Sequence, residues 1–340
     1  MRKSVISSCL KTLLFIACFA LLAWMVVAAG PAQLWQTLTT MPWTILGCVA
    51  IWGVGYALNA SSFRQILLAA TERPSHPLLH WWPVLRLTIA GYAINYITPF
   101  GLLGGEPYRV LALRPVLDTE KATQSVILYS MMHIASHFCL WLLSIAWAVV
   151  AVQGLSADHG LGLAATLIGV TGLLILFWYL YRHGIMLRFM KRWVDWPLLN
   201  PNLLPAGTFA KALGLELLSR LVNVTEYWLI MQALGFTAFS YGDALLVVAF
   251  SSLLANLLFF SPLQMGTREG GILLALQYLV PSVALSLPSG TTLLAVAVAL
   301  SFATRLREFI WIAMGLFLMR LSGTSDKESK KNKYNERINS

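Results

Sequence analysis

Residues 98–106 have the sequence TPFGLLGGE, and residues 261–269 have the sequence SPLQMGTRE. Each stretch interrupts an apolar segment, and in each a hydroxyl residue and a proline lie at the same distance before a glutamate. Proline breaks a helix because it lacks the backbone N–H donor. At membrane depth, non-helical backbone is stable only where protein buries it or a water-filled cavity solvates it. The two stretches therefore predict two broken helices of a kind that ordinary membrane spans do not contain.

The composition of the whole chain is typical of a membrane protein. Of its 340 residues, 58% are hydrophobic and only 11% are charged, whereas about 25% of the residues in a soluble domain are charged. The composition excludes a soluble globular, collagen-like, coiled-coil or disordered protein. A helix needs about 20 mostly apolar residues to cross a bilayer. The apolar segments predicted to be helical are 12–29, 42–62, 83–98, 122–152, 161–181, 212–235, 243–260, 270–280 and 291–319.

The positions of Lys and Arg orient these segments. The chain has 24 Lys and Arg against 14 Asp and Glu, and cytoplasmic loops carry such an excess. We place the N-terminus in the cytoplasm. If the segments 83–110 and 243–280 each enter and leave the membrane on one side, every Lys and Arg outside the apolar segments is then cytoplasmic. If both crossed fully, Arg109, Arg114 and Lys121 would lie outside. The pattern predicts about six transmembrane helices plus two oppositely oriented re-entrant hairpins in a bacterial inner membrane, with both termini cytoplasmic.

The order helix, hairpin, helix occurs twice, at about 42–152 and 212–319, with opposite orientation across the membrane. Inverted repeats whose broken helices meet near the midplane are typical of secondary transporters, in which the binding site lies at the repeat interface. The chain is therefore predicted to be an all-α transmembrane domain over 1–321. The polar, basic segment 322–340 is predicted to be a disordered cytoplasmic tail, because it has too little apolar surface to fold alone.

Three motifs resemble the signatures of one family. Residues 99–109, with Gly104-Gly105-Glu106-Pro107-Tyr108-Arg109 at their centre, resemble the first signature of the flippase-like family. This is the family of the transmembrane domain of lysylphosphatidylglycerol synthase, the multiple peptide resistance factor. The pattern Pro262-x-x-x-Gly266-x-x-Glu269 resembles its second signature, although Gln264 and Met265 stand where glycine is more usual. Residues 304–308 followed by Gly315 resemble the signature of the last helix.

The resemblance implies a lipid-translocating module. The best-known family member carries a soluble aminoacyl-transferase domain after its membrane part. That domain is expected to be lacking here, so the lipid-aminoacylating activity is not carried over. The sequence has no Walker loop, no GxSxG elbow and no dinucleotide fingerprint, and no cofactor, metal or nucleic acid is expected.

Charged residues at bilayer depth are costly to insert and are therefore functional candidates. Glycine lets a ligand approach the backbone closely, and the planar guanidinium of arginine matches phosphate oxygens. The predicted substrate is an anionic phospholipid or a polyprenyl-phosphate-linked lipid. Alternatively, the two glutamates bind a cationic headgroup or a coupling proton, or the charges only pair with one another. The predicted binding residues are Gly104, Gly105, Glu106, Arg109, Gly266, Arg268, Glu269 and Arg305.

Two further polar groups, four residues in segment 212–235 and two histidines in segment 122–152, each have the spacing of one helix face. Both groups are predicted to line a cavity, and hydrogen bonds between packed helices are the alternative for the histidines. An intrahelical Glu216–Arg220 pair is the plainer alternative. A metal site is not predicted at the two histidines, because the residues between them do not match the His-Glu-x-x-His motif. The predicted cavity-lining residues are Glu216, Arg220, Asn223, Glu226, His133 and His137.

The sequence thus predicts a lipid translocase that moves an anionic headgroup through a polar cavity between two re-entrant hairpins. The alternative is an integral membrane enzyme or an accessory subunit that acts on lipid-linked envelope or glycan precursors. Under either interpretation a membrane lipid is the expected ligand, and a lipid-modifying enzyme is an expected partner.

Overall fold

The computed structural model describes residues 41–97, 104–153, 204–257, 267–280 and 292–338, with isolated positions at 39, 283, 287 and within 168–183. Over these residues the protein consists of eight α-helices and one 3₁₀ turn, Pro77–Leu79. The prediction of an all-α protein is therefore confirmed. The helices are α1 (Pro42–Ala70), α2 (Trp81–Ile97), α3 (Gly105–Leu113), α4 (Thr119–Gln153), α5 (Ala206–Ala233), α6 (Tyr241–Leu257), α7 (Thr267–Tyr278) and α8 (Leu293–Ile338).

Four of these helices are long and coincide with predicted spans. Two of them, α1 and α4, are long and apolar enough to cross a membrane. Helices α5 and α8 are of similar or greater length but carry charged residues along their middle. The predicted span 12–29 and most of 161–181 lie outside the described residues.

The C-terminal segment differs from the prediction of disorder for 322–340, because α8 continues as a helix to Ile338. This segment is rich in Lys, Glu, Asn and Ser. Long charged side chains have good helix propensity, and extending an existing helix avoids the cost of nucleation. The lack of an apolar face therefore does not prevent the segment from being helical.

The two predicted hairpins are pairs of closely packed helices. A Cβ atom on Gly105 of α3 would collide with the carbonyl oxygen of Gly91 on α2. In the second pair, a Cβ on Gly271 of α7 would lie 2.9 Å from Cα of Ser251 on α6. Glycine is required at both crossings because backbone lies directly against backbone. The connecting residues 98–103 and 258–266 lie outside the described residues.

The eight helices pack in a pattern that repeats itself. Let α1, α2, α3 and α4 correspond to α5, α6, α7 and α8, in that order. Each packed pair of described α-helices then has a counterpart pair, and α1 packs against its own counterpart α5. For example, α2 packs against α8, and α6 packs against α4. One apolar core joins α1, α2, α4 and the start of α5, and a second joins α5–α8 with parts of α1 and α4.

Candidate functional site

The first polar site begins where α3 starts. The backbone N–H of Gly105 donates to Asn95 Oδ1 at 2.6 Å, so an α2 side chain satisfies one of the unpaired donors at the start of α3. The amide of Asn95 donates to Glu106 Oε1 at 3.2 Å. Glu106 lies in the first turn of α3, where the helix dipole favours a negative charge. Arg109 Nη1, one turn later, donates to the same carboxylate oxygen at 3.2 Å.

The guanidinium of Arg109 is enclosed, and only 1% of its side chain is exposed. It lies against α2 at Gly91, where any Cβ atom would collide with it. The rings of Tyr92 and Tyr129 lie 4.8 and 5.2 Å from its Cζ, which is within the range of cation–π attraction. Glycine at 91 and two aromatic faces thus make room for a cation inside the helix bundle.

A hydrogen-bonded chain leads from this arginine into the second half of the molecule. The hydroxyl of Tyr92 lies 2.8 Å from that of Tyr129 and 2.9 Å from Nδ1 of His133 on α4. The same nitrogen lies 2.9 Å from Oε2 of Glu216 on α5. Because a carboxylate only accepts, the neutral imidazole that satisfies this contact carries its proton on Nδ1. Arg220 Nη2 lies 2.7 Å from both ring nitrogens, and Nε2 is then the one that accepts from it.

Arg220 closes this network on the α5 side. Its Nε donates to Ser136 Oγ at 3.0 Å, and its Nη2 lies 4.0 Å from the wholly buried carboxylate of Glu216. The residues of this network form what we call the histidine cluster. They are Tyr92, Asn95, Glu106, Arg109, Tyr129, His133, Glu216 and Arg220.

The second site, which we call the arginine cluster, contains Glu226, Arg268, Glu269, Arg305, Arg307 and Glu308. Arg307 donates from Nε and Nη2 to the two carboxylate oxygens of Glu226, at 2.7 and 2.8 Å. Such a bidentate pair is among the strongest side-chain interactions. The Arg307 guanidinium also stacks on Trp52 of α1, 3.6 Å from the ring centre. This contact joins three long helices, α1, α5 and α8.

The remaining pairs of the arginine cluster attach α7 to α8. Arg268 Nη1 donates to Glu308 Oε1 at 2.7 Å. Glu269 Oε1 accepts from Arg305 Nη2 at 2.7 Å and from Ser301 Oγ at 2.6 Å. The cluster contains three arginines and three glutamates, so it is electrically balanced, as is the histidine cluster with its two arginines, two glutamates and neutral imidazole.

The structure brings most of the predicted residues together, but in different partnerships. Helix α5 shares its polar stripe between the sites, since Glu216 and Arg220 join the histidine cluster and Glu226 joins the other. Asn223 lies between them, and within the described residues its Oδ1 has no hydrogen-bond partner. His137 contacts His133 edge to face at 5.6 Å. Gly104 directly precedes α3, and Gly266 lies outside the described residues.

Several residues of these sites were not among the predicted ones. Arg307 and Glu308 carry a usable signal, because they lie inside the last-helix motif and within an apolar segment. No comparable signal marks Tyr92, Tyr129 and Trp52. Aromatic residues make up 12% of the chain, so these three do not stand out from the others. In the part of the chain that the structure describes, no three His, Cys, Asp or Glu side chains are grouped so that they could hold a metal ion.

Comparison with known proteins assigns the chain to a family. Residues 9–301 match the family described as the lysylphosphatidylglycerol synthase TM region, and a comparison with individually curated proteins gives no match. The matched range includes both predicted hairpins and every glutamate and arginine of the histidine cluster. The resemblance of the motifs at 99–109 and 262–269 is thereby confirmed. The chain belongs to the lysylphosphatidylglycerol synthase TM region family and is a helical membrane protein of lipid-related function.

Proposed function

We propose that this protein moves an anionic phospholipid, or a polyprenyl-phosphate-linked lipid, between the leaflets of a bacterial cytoplasmic membrane. The headgroup binds in a polar cavity between two re-entrant hairpins, α2–α3 and α6–α7, while the lipid tails stay in the bilayer. Both termini are cytoplasmic, and a lipid-modifying enzyme supplies or uses the lipid. The proposal is supported by the depth of the buried charges in the membrane, by the internal repeat and by the Glu106–Arg109 ion pair.

Exposed tryptophans support a position for the bilayer. Trp43 is 82% exposed at the start of α1. Trp81 and Trp82 are exposed at the start of α2, and Trp81 Nε1 donates to Ser61 Oγ on α1 at 3.2 Å. Trp43 and Ser61 are about 27 Å apart along α1 at about 1.5 Å per residue, close to the roughly 30 Å of a hydrocarbon core. Tryptophan is enriched at membrane interfaces, so these residues fit the two boundaries.

The buried charges then fall near the middle of the membrane. Trp52 lies midway between Trp43 and Ser61 along α1, and it stacks on the Arg307 guanidinium. Arg307 is itself central in the apolar part of α8, Leu293–Met319. A charge at the bilayer centre costs about 2.5–3.5 kcal/mol to insert on translocon scales. Charges retained at that depth are expected to have a role.

The repeated packing pattern supports a transporter. The exchange of α1–α4 with α5–α8 that preserves the packed pairs is the relation expected for an internal repeat with a pseudo-two-fold axis. In such transporters the site lies between the repeats, where broken helices meet. The histidine cluster lies between the repeats, because its residues come from α2, α3 and α4 of one half and from α5 of the other.

The Glu106–Arg109 pair is the observation that carries the proposal. Both residues have an unused polar atom: in the described part of the chain, no acceptor reaches Arg109 Nε and no donor reaches Glu106 Oε2. A buried polar atom without a partner is costly. A phosphodiester oxygen is a suitable acceptor for a guanidinium N–H that lacks a protein acceptor.

The test is lipid exchange in proteoliposomes. The full chain is reconstituted with fluorescent phosphatidylglycerol, and dithionite reports how fast the label reaches the other leaflet. We expect Arg109→Gln to slow exchange at least tenfold, whereas Arg114→Gln, an exposed arginine at the end of the same helix, leaves it unchanged. Equal rates for the wild type, both variants and protein-free vesicles would contradict the proposal. Mass spectrometry of the same lipid tests the alternative enzyme, which would convert it chemically.

A further inference from the structure

The histidine cluster contains a second pair, His133 and Glu216, in addition to the Glu106–Arg109 ion pair of α3. The carboxylate of Glu216 has no exposed surface. Its Oε2 contacts His133, while no described donor reaches its Oε1. The imidazole of His133 retains 17% exposure and is the more accessible member of the pair. A proton can therefore arrive through the imidazole and be held by the buried carboxylate of Glu216.

The contacts of His133 connect this pair with the Arg109 site. From Glu216 Oε2 the chain passes to His133 Nδ1 at 2.9 Å, to Tyr92 Oη at 2.9 Å and to Tyr129 Oη at 2.8 Å. Each of these groups can both give and take a proton or hydrogen bond, apart from the terminal carboxylate when it is ionised. The rings of the two tyrosines flank the Arg109 guanidinium. A change in the protonation of Glu216 thus reaches the groups that hold Arg109.

The charges of the cluster define the consequence. With His133 neutral, the two glutamates balance the two arginines. One added proton leaves a net charge of +1 in a buried site, where charges interact more strongly than in water. A phosphodiester carries one negative charge and restores the balance when it binds at Arg109. The proton and the anion therefore favour each other's binding, which is reciprocal by thermodynamic linkage.

We propose that the His133–Glu216 pair binds one proton that crosses the membrane together with one anionic phosphodiester headgroup. The inference rests on the function proposed above and adds its energy source. A hydronium ion gives its proton to Glu216, which forms one O–H bond and leaves neutral water. On the other side the carboxyl group returns the proton to water as the headgroup leaves. The complete step moves no net charge.

Other titratable and charged groups surround Glu216 on each helix that packs there. Helix α6 has one charged residue, Asp243, whose carboxylate accepts from Ser240 at the helix start. On α8, Arg305, Arg307 and Glu308 pair within the arginine cluster. Helix α1 contributes the Ser62 hydroxyl. The remaining groups are Arg220 on α5, Tyr129, His133 and His137 on α4, Tyr92 on α2 and Arg109 on α3.

The experiment imposes either a pH difference or a potassium diffusion potential on proteoliposomes that contain fluorescent phosphatidylglycerol and a trapped pH dye. For one proton per lipid, a difference of one pH unit gives about a tenfold asymmetry of label between leaflets, with proton movement reported by the dye. The potassium diffusion potential alone gives no asymmetry of label, because the step is electroneutral. Lipid exchange that ignores the pH gradient, or that follows the potential, would overturn the inference while leaving translocation intact.

Two pairs of variants locate the proton. Glu216→Gln fixes the site in a neutral form, so the label should follow the potential and ignore the pH gradient. Glu72→Gln, which changes an exposed carboxylate, should behave as the wild type. Tyr92→Phe interrupts the chain and should reduce proton movement several-fold, whereas Tyr241→Phe removes an exposed hydroxyl from a separate contact and should not. Lipid exchange that still follows the pH gradient in Glu216→Gln would overturn the assignment of the proton site. If Glu216→Gln does not fold, unchanged proton movement in Tyr92→Phe would overturn it instead.

A binding measurement separates this inference from translocation itself. Detergent-solubilised full chain in weak buffer is mixed with dihexanoyl-phosphatidylglycerol, and proton uptake is measured. Uptake of about one proton per protein, lost in Glu216→Gln and retained in Glu72→Gln, supports the proton site even if vesicles show no lipid exchange. Binding without uptake would overturn the proton site while leaving the headgroup site in place.

Discussion

The histidine cluster and the arginine cluster bury charge in different ways. In the arginine cluster, each glutamate has an arginine nitrogen at 2.7 Å. The histidine cluster has longer contacts to its glutamates and three groups that can both donate and accept. Among the described residues, Glu106, Arg109 and Glu216 each have an atom without a hydrogen-bond partner there, whereas the arginine cluster has one such atom, Arg307 Nη1. The first arrangement is a fixed connection between helices. The second can exchange partners at low cost, which a binding site requires.

The physical reason lies in the cost of an uncompensated charge. Removing one partner of a buried ion pair leaves the other charged and without water, which costs more than the pair itself contributes. A cluster of complete pairs therefore resists change. A cluster whose members are neutral hydroxyls and an imidazole can rearrange by moving protons, without leaving a buried charge alone.

The largest effect is expected at the Glu226–Arg307 pair. Glu226→Gln or Arg307→Met should each lower the free energy of unfolding by about 3–5 kcal/mol, because one buried charge then lacks its partner. The double variant Glu226→Gln with Arg307→Met should recover much of this loss, since no charge is left alone. Thermal and denaturant unfolding in detergent would measure all three variants. A double variant as unstable as the sum of the singles would contradict the interpretation of a fixed ion-pair connection.

The next effect concerns the α6–α7 crossing beside the arginine cluster. Gly271→Ala should lower the free energy of unfolding by about 1–3 kcal/mol, because its Cβ meets the Ser251 backbone and the helices must separate. The adjacent Gly270→Ala meets nothing within 4 Å, so it should stabilise the helix by up to about 1 kcal/mol. Equal unfolding transitions for the two variants would show that the crossing is not backbone against backbone.

The helices could be predicted from the sequence more completely than the partnerships of their side chains. Apolar length and the positions of Pro and Gly are local signals, and they placed α1, α2, α4 and α6 within a few residues of their observed starts. The charged residues Glu106 and Arg109 of α3, Arg268 and Glu269 of α7 and Arg305 of α8 were predicted as site residues, because a charge within an apolar segment is unusual. These signals do not depend on knowing which helices touch.

The partnerships depend on long-range packing, which no local pattern contains. The pairing of Glu216 with His133 joins residues that are 83 positions apart, and Glu226 is separated from Arg307 by 81. The regular spacing on α5 suggested one polar face with one environment. The structure instead places α5 between two halves, so that neighbouring turns of the helix face different clusters. Gly91 could not be recognised either, because its role is to leave space for Arg109.

A smaller effect on stability is expected at Glu106, in the histidine cluster. Glu106→Gln keeps an acceptor for Asn95 and Arg109, and its side chain is 21% exposed. We expect a loss of about 1 kcal/mol in the free energy of unfolding, together with at least a tenfold loss of lipid exchange. A variant that unfolds as readily as Glu226→Gln, or that exchanges lipid normally, would remove the distinction between the two clusters.

The smallest effect is expected at an ion pair outside both clusters. Lys121 Nζ lies 3.1 Å from Glu72 Oε1, as close as some of the buried contacts, but the Glu72 side chain is 89% exposed. Water compensates each partner when the other is removed, so Glu72→Gln should change the free energy of unfolding by no more than about 0.5 kcal/mol. Unfolding in detergent at low and high salt would check this value. A loss comparable to that of Glu226→Gln would mean that distance, rather than burial, determines the strength of these pairs, and the contrast between the clusters would then need another cause.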